Sequence, residues 1–153
     1  MDKSLPSSVL FCCDHNSVRS PMAEGIAKQL YGHKFYVQSV GVRNDREIDG
    51  FAIATCAEIG VPLERHRSRS FDEMEQWGDD LSSFDLVIAL SPASQRRALD
   101  LTRFYHLDVE YWPILDPTGL GETRPAKLDA YRQTRSQIRD RLIERFGPPT
   151  EKI

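Results

Sequence analysis

Apolar positions along the chain fall into two rhythms. Val9-Leu10-Phe11-Cys12 is an unbroken apolar run behind Pro6-Ser7-Ser8. Residues 35–40, closed by Gly41, and residues 84–90 and 108–112 are further extended runs. Runs of this length between helical patterns predict strands of a parallel sheet covered on both faces. The second rhythm is helical. Met22, Ile26 and Leu30 recur every fourth residue, with Ala23 and Ala27 beside them. Ser20 and Pro21 predict an N-cap and first helical residue, and Gly32 a stop. Residues 51–59, ending at Gly60, and residues 71–77, 93–104 and 126–146 predict further helices. In the last, Leu128, Tyr131, Ile138, Leu142 and Phe146 form an apolar stripe that Gly147-Pro148-Pro149 ends. Strand and helix alternate throughout. The expected fold is α/β, an open doubly wound sandwich of about four parallel strands with helices on both faces. It is expected as a single domain over residues 1–153. Ligands in such folds bind beyond the carboxyl ends of the strands, where the strand order reverses.

Composition narrows the classes. The 153 residues carry 23 acidic and 20 basic side chains, for a formal charge of -3. A nucleic-acid or membrane-surface binder would be basic, so neither partner is expected. No run approaches the ~20 apolar residues of a membrane span, and the first residues lack a signal peptide's apolar region. A cytoplasmic location is the expectation. Three cysteines, two of them the adjacent Cys12 and Cys13, are too few for a disulfide framework.

The loop after the first strand reads Cys13-Asp14-His15-Asn16-Ser17-Val18-Arg19-Ser20-Pro21. It leads straight into a helix. A short loop curling into a helix N-terminus turns backbone N–H groups inward and makes an anion site. Arg19 can add a two-pronged contact to an oxyanion. A thiol at the head of such a loop is drawn toward its thiolate, the nucleophilic form. Ser20 can donate its hydroxyl to that thiolate.

This segment resembles the phosphate-binding loop of the low-molecular-weight protein tyrosine phosphatases and of the arsenate reductases that share their fold. The resemblance continues through Met22-Ala23-Glu24, Gln38-Ser39-Val40-Gly41, residues 60–66, Phe84-Asp85-Leu86-Val87 and residues 112–117. It implies a cysteine-dependent phosphatase acting on phosphomonoesters, phosphotyrosine in proteins among them, through a phosphocysteine. Cys13 would be the nucleophile, and Arg19 would bind the oxyanion. Asp116, in the Asp116-Pro117 loop after the fourth strand, would be the general acid. Asp14, His15, Asn16, Ser17, Val18 and Ser20 would line the bound oxyanion. Ser39 and His66, with Asn16 and Ser20, would brace the loop. For His66 the other reading is a surface histidine in the basic run Arg65 to Arg69. No metal or cofactor is implied. The implied partner is a phosphorylated substrate, small molecule or protein, or another oxyanion.

Four positions depart from the family pattern. His15 stands where Gly is usual, at a place where Gly allows φ > 0. It is either a donor at the pocket rim or a solvent-facing side chain. Val18 replaces a cysteine that shields the nucleophile in many of the phosphatases. Cys12 does not obviously replace it, because successive strand side chains point to opposite faces. The aromatic walls that clamp a phenyl ring are missing from residues 42–47 and 118–121, while Arg43 and Arg46 suit an anionic substrate. Residues 90–94 lack the reductases' redox cysteines, and Cys56 falls in a predicted helix. Yet the last third, from Tyr111-Trp112 to Tyr131-Arg132 and Ile138, is closer to the reductases. Two alternatives therefore stand beside the phosphatase: an arsenate reductase served by an external thiol, and an oxyanion-binding regulatory module with little turnover.

Overall fold

The computed structural model describes residues 5–77 and 81–149. Four parallel strands form the sheet: β1 (Ser8–Cys13), β2 (Tyr36–Gly41), β3 (Leu86–Ala89) and β4 (Asp108–Tyr111), in the order β2-β1-β3-β4. The helices are α1 (Arg19–Tyr31), α2 (Gly50–Ala57), α3 (Phe71–Gln76), α4 (Pro92–Leu101) and α5 (Arg124–Phe146). The expected doubly wound α/β architecture is present. All six residues of β1 are buried, which is why its run carries no polar alternation. The chain leaves β1 toward β2 on one side and later returns to β3 on the other. The carboxyl end of β1 is therefore the point where the strand order reverses.

The pleat divides the core. Val9, Phe11 and Cys13 join α1, α2 and α5 residues in one apolar cluster, which includes Met22, Ile26, Ala52, Ile138 and Leu142. Leu10 and Cys12 face the other, with Phe71, Met74, Ala98 and Leu101 from α3 and α4. The buried stripe of α5 is Ala130, Tyr131, Thr134, Ile138, Leu142 and Phe146. Leu128, expected in that stripe, is only half-buried. The smaller Ala130 and Thr134 let the helix approach instead, and the Thr134 hydroxyl donates to Leu115 O at 3.0 Å.

Two local expectations are corrected. Ser20 is not the N-cap of α1. The helix starts two residues earlier than expected, at Arg19 rather than Pro21, and Val18 caps it with no side-chain hydrogen bond. And α2 ends at Ala57, so residues 58–60 form a turn in which Gly60 takes φ 77°.

Gly41 ends β2 directly beneath the loop that follows β1. A Cβ there would lie 2.7 Å from Asn16 N, 2.8 Å from His15 C and 2.9 Å from Arg43 O. All three are backbone atoms and cannot rotate away. Gly41→Ala is expected to lower the unfolding free energy by about 1–3 kcal/mol. Gly50→Ala, where a Cβ meets nothing within 4 Å, is expected to leave stability unchanged or slightly raised. Urea denaturation of the two variants checks both.

Candidate active site

Cys13 is the last residue of β1 and is 3% exposed. Its Sγ lies 2.9 Å from Ser20 Oγ and accepts the Ser20 N–H at 3.4 Å. Because α1 has no side-chain cap, the sulfur occupies the position of a capping acceptor at the positive end of the helix. That is why Ser20, expected as a cap, serves the thiol instead.

The loop between Cys13 and α1 is built to present donors. Among the described residues, no backbone N–H of residues 14–19 donates to a protein acceptor. Buried main-chain donors seldom stay unpaired. Arg19 is 8% exposed and adds its guanidinium. Its Nη1 donates to Leu90 O at 3.2 Å and to Ile114 O at 3.1 Å, which fixes the plane of the group. Nη2 lies between two carboxylates, 3.5 Å from Asp14 Oδ2 and 3.7 Å from Asp116 Oδ2. Asp116 thus reaches the loop from the segment after β4. Its Oδ1 accepts from Thr118 N–H at 3.1 Å and from the Thr118 hydroxyl at 2.9 Å. The Asp14 Oδ1 atom is buried and has no hydrogen-bond partner among the described residues.

Asn16 holds the loop in shape. It is fully buried and takes φ 54°, a region Asn tolerates better than most residues. The positive φ of this loop therefore falls on Asn16, one residue after the position where the family's usual Gly would allow it. Asn16 Nδ2 donates to Ser20 Oγ at 2.8 Å and to Ser39 Oγ at 2.9 Å. Its Oδ1 lies 3.1 Å from His66 Nε2 and accepts Arg69 N–H at 3.0 Å. Its main-chain oxygen accepts from Ser68 Oγ at 2.7 Å. Both His66 contacts, to Asn16 Oδ1 and Asn16 O, are to acceptors, so Nε2 carries the proton. His66 is half-buried against the loop rather than on an open surface. Burial holds its pKa below the ordinary histidine value.

The remaining loop residues divide. Ser17 and Val18 are buried, and Ser17 O accepts Asp49 N–H at 3.0 Å. His15 Nδ1 lies 2.7 Å from Asp45 Oδ1 at the surface. The rim segment 42–47 is stitched to the loop by Val42 N–H to Cys13 O and Arg43 N–H to Asp14 O.

A family model described as low molecular weight phosphotyrosine protein phosphatase matches residues 8–147. The chain belongs to that family. Within this phosphatase family it is 32% identical to the glutaredoxin arsenate reductase of Synechocystis, over 88% of this chain and 92% of that protein. It is 30% identical to the arsenate reductase of Bacillus subtilis, over 89% and 92%. Among solved structures, an arsenate reductase in a phosphate-binding state superposes with TM-score 0.69 at 27% identity, covering 90% of this chain and 94% of that one. A low molecular weight protein tyrosine phosphatase from T. tengcongensis gives TM-score 0.69 at 26% identity, covering 91% and 99%. The similarity thus extends both to proteins named arsenate reductase and to one named tyrosine phosphatase.

The other two cysteines stand apart from this site. Cys12 points into the opposite core, where burial pushes its thiol up. Cys56 lies inside α2, its thiol pushed up to about 12 by burial. Sequence reading passed over several residues that touch the loop. Glu24 accepts Ser39 Oγ at 2.5 Å, and Arg69 Nε donates to Ser39 O at 3.1 Å. Asp49 caps α2 and also accepts the Tyr131 hydroxyl at 2.9 Å, joining α5 to the loop. Only Glu24, one turn beyond Ser20, carried a local signal.

His66 gives the loop a pH dependence with a defined sign. Its pKa in the folded chain is held below the unfolded value of about 6.5. The unfolded chain therefore binds the proton first, and stability falls as pH drops below about 6.5. Urea midpoints measured between pH 5 and 8 should fall more steeply toward acid in the wild type than in His66→Gln.

Proposed function

We propose that the chain is a cysteine-dependent phosphatase that hydrolyses phosphomonoesters through a phosphocysteine. The observation that carries this reading is a loop over residues 14–19 whose N–H groups have no protein acceptor among the described residues, lying between a buried thiol and the buried Arg19. Such a loop suits the oxygens of a phosphoryl group, whose charge spreads further in the transition state. Cys13 Sγ attacks phosphorus, and the bond to the leaving oxygen breaks. Asp116 gives that oxygen its proton. With Oδ1 held by Thr118, Oδ2 is the oxygen left to carry it. In the second step the Asp116 carboxylate takes a proton from water, whose oxygen attacks phosphorus. The S–P bond breaks, phosphate leaves and the thiolate returns. The Ser20 hydroxyl, 2.9 Å from the sulfur, stabilises the thiolate at both ends of the cycle. Asn16, Ser39 and His66 act at one remove, by holding the amides inward.

The names of the relatives support a second reading, reduction of arsenate. The same thiol would attack arsenic and displace water, one external thiol would then take the Cys13 sulfur into a mixed disulfide as arsenite leaves, and a second external thiol would release that disulfide and return Cys13. Cys12 and Cys56 are both buried away from the loop, so the relay would have to come from outside. Consumption of thiol that depends on arsenate distinguishes the two.

Turnover of an aryl phosphate is expected in the wild type and its complete loss in Cys13→Ser. Asp116→Asn is expected to lower kcat by about 10²–10⁴, while the Kd for inorganic phosphate stays within about threefold because the amides and Arg19 remain. Full turnover in Cys13→Ser would refute the mechanism.

A further inference from the structure

The rim where the phosphate loop meets residues 42–47 is charged. His15 and Asp45 form an ion pair at 2.7 Å, with the His15 side chain 24% exposed and that of Asp45 50%. A carboxylate only accepts, so the proton of this contact sits on His15 Nδ1. Among the described residues, Nε2 has no partner. Arg46 is close enough to Asp45 to act with His15 in holding that carboxyl below its usual range. The side chains of Arg43 and Arg46 are exposed, and among the described residues neither forms an ion pair.

Stability does not account for the pair. Exposed ion pairs contribute little. The two segments are already joined by main-chain bonds from Val42 to Cys13 and from Arg43 to Asp14. Residues 43–47, Arg-Asn-Asp-Arg-Glu, include no apolar or aromatic side chain to cover a ring. What the rim offers instead is one imidazole of fixed orientation beside the loop, with the exposed Arg46 acting on the same Asp45 carboxylate. Both ring nitrogens donate at once only in the imidazolium, so that is the form in which Nε2 would meet an anion while Nδ1 stays on Asp45.

We propose that His15, oriented by Asp45, forms with Arg46 a second anion subsite beside the phosphoryl site, and that the substrate carries a second acidic group close to the phosphoryl it loses. This rests on the phosphatase reading for the reaction, though not for binding. His15 is then a specificity-determining residue: it selects the leaving group without entering the bond changes at phosphorus. The substrate class is a phosphomonoester of a small acid, with a carboxylate or a second phosphate, rather than a neutral aryl phosphate.

Phosphonates test the subsite without turnover. Calorimetry compares propylphosphonate with 3-phosphonopropionate, and benzylphosphonate with 4-carboxybenzylphosphonate, at two reaches from phosphorus. In the wild type the carboxylated member of at least one pair should bind about tenfold more tightly, a typical worth for a charge-assisted contact. His15→Gln and Arg46→Gln should each reduce that ratio at least threefold. Each ratio is taken within one protein, so a general loss of phosphonate affinity cancels. Arg46, on the exposed rim, keeps the test open where His15→Gln fails to fold. Equal affinities in both wild-type pairs, or a ratio that both variants leave unchanged, would overturn the proposal. A preserved ratio in a protein that cleaves no phosphate ester would instead overturn the phosphatase reading alone.

Discussion

One buried amide holds the loop together. Asn16 is the only non-glycine residue with positive φ among the described residues, and it has no exposure. Its side chain and main-chain oxygen engage α1 at Ser20, β2 at Ser39 and the 66–69 segment at His66, Ser68 and Arg69. Each partner approaches from a different direction, so the turn at residue 16 is fixed on all sides. A chain of unpaired N–H groups would otherwise turn to water or wind into the helix that follows. The cost of leaving buried polar groups without partners is greater than the net gain of making one bond. The network is therefore strongest as a whole, and the inward-facing amides inherit its rigidity. Gly41 completes it from below, since only a residue without Cβ lets β2 run so close beneath Asn16.

The fold was legible because its strands are buried on both faces and its helices carry apolar stripes. Residues 9–12 could hardly be anything but a central strand, and the position of the site followed from the alternation. Cys13 and Arg19 were legible by spacing and placement. The failures have physical reasons. Ser20 before Pro21 has the local signature of a cap, but its hydroxyl is engaged by a sulfur seven residues away, and the helix begins at Arg19 instead. His15 drew attention as the replacement for Gly, while the left-handed turn sits on Asn16, a residue suited to it. Asp49 carried no local sign of its role, Arg69 lay in the basic run Arg65 to Arg69, and Glu24 only continued the family resemblance. Their partners lie 15 to 82 residues away. Such pairings exist only after the sheet has formed and leave no trace in the local pattern.

The pleat also settles what two adjacent cysteines can do. Cys12 and Cys13 are neighbours in sequence, yet they belong to opposite cores. One sulfur lies at the head of α1. The other sits among Leu10, Met74 and Ala98, with the carbonyls of Ile88 and Ser94 at 3.7 and 3.8 Å. A single thiol is sufficient to displace an oxygen from phosphorus, because hydrolysis returns it unchanged. Reduction of arsenic needs two electrons, and therefore a second sulfur within reach. The described residues place none beside Cys13, so a reductase reaction here would draw that sulfur from an external thiol.

In the proposed site, Arg19 is what lets an acidic chain receive an anion. Its Nη1 is committed to two main-chain carbonyls, so the guanidinium cannot swing away from the loop. Its Nη2 edge, in contrast, meets two carboxylates at 3.5 and 3.7 Å, both too long for strong hydrogen bonds. An oxyanion entering the loop competes with these loose contacts, not with the carbonyls. It gains the whole N–H ring while Asp14 and Asp116 lose only distant ion pairs. In the proposed phosphatase the two carboxylates would hold down the affinity for substrate and product without moving the guanidinium, leaving more of the interaction to be realised as charge develops at phosphorus. It also explains why one carboxylate belongs to the loop itself and the other to a separate segment. Asp14 stays beside the anion, whereas Asp116, fixed through Thr118 by a single oxygen, is free to turn its second oxygen to the leaving group.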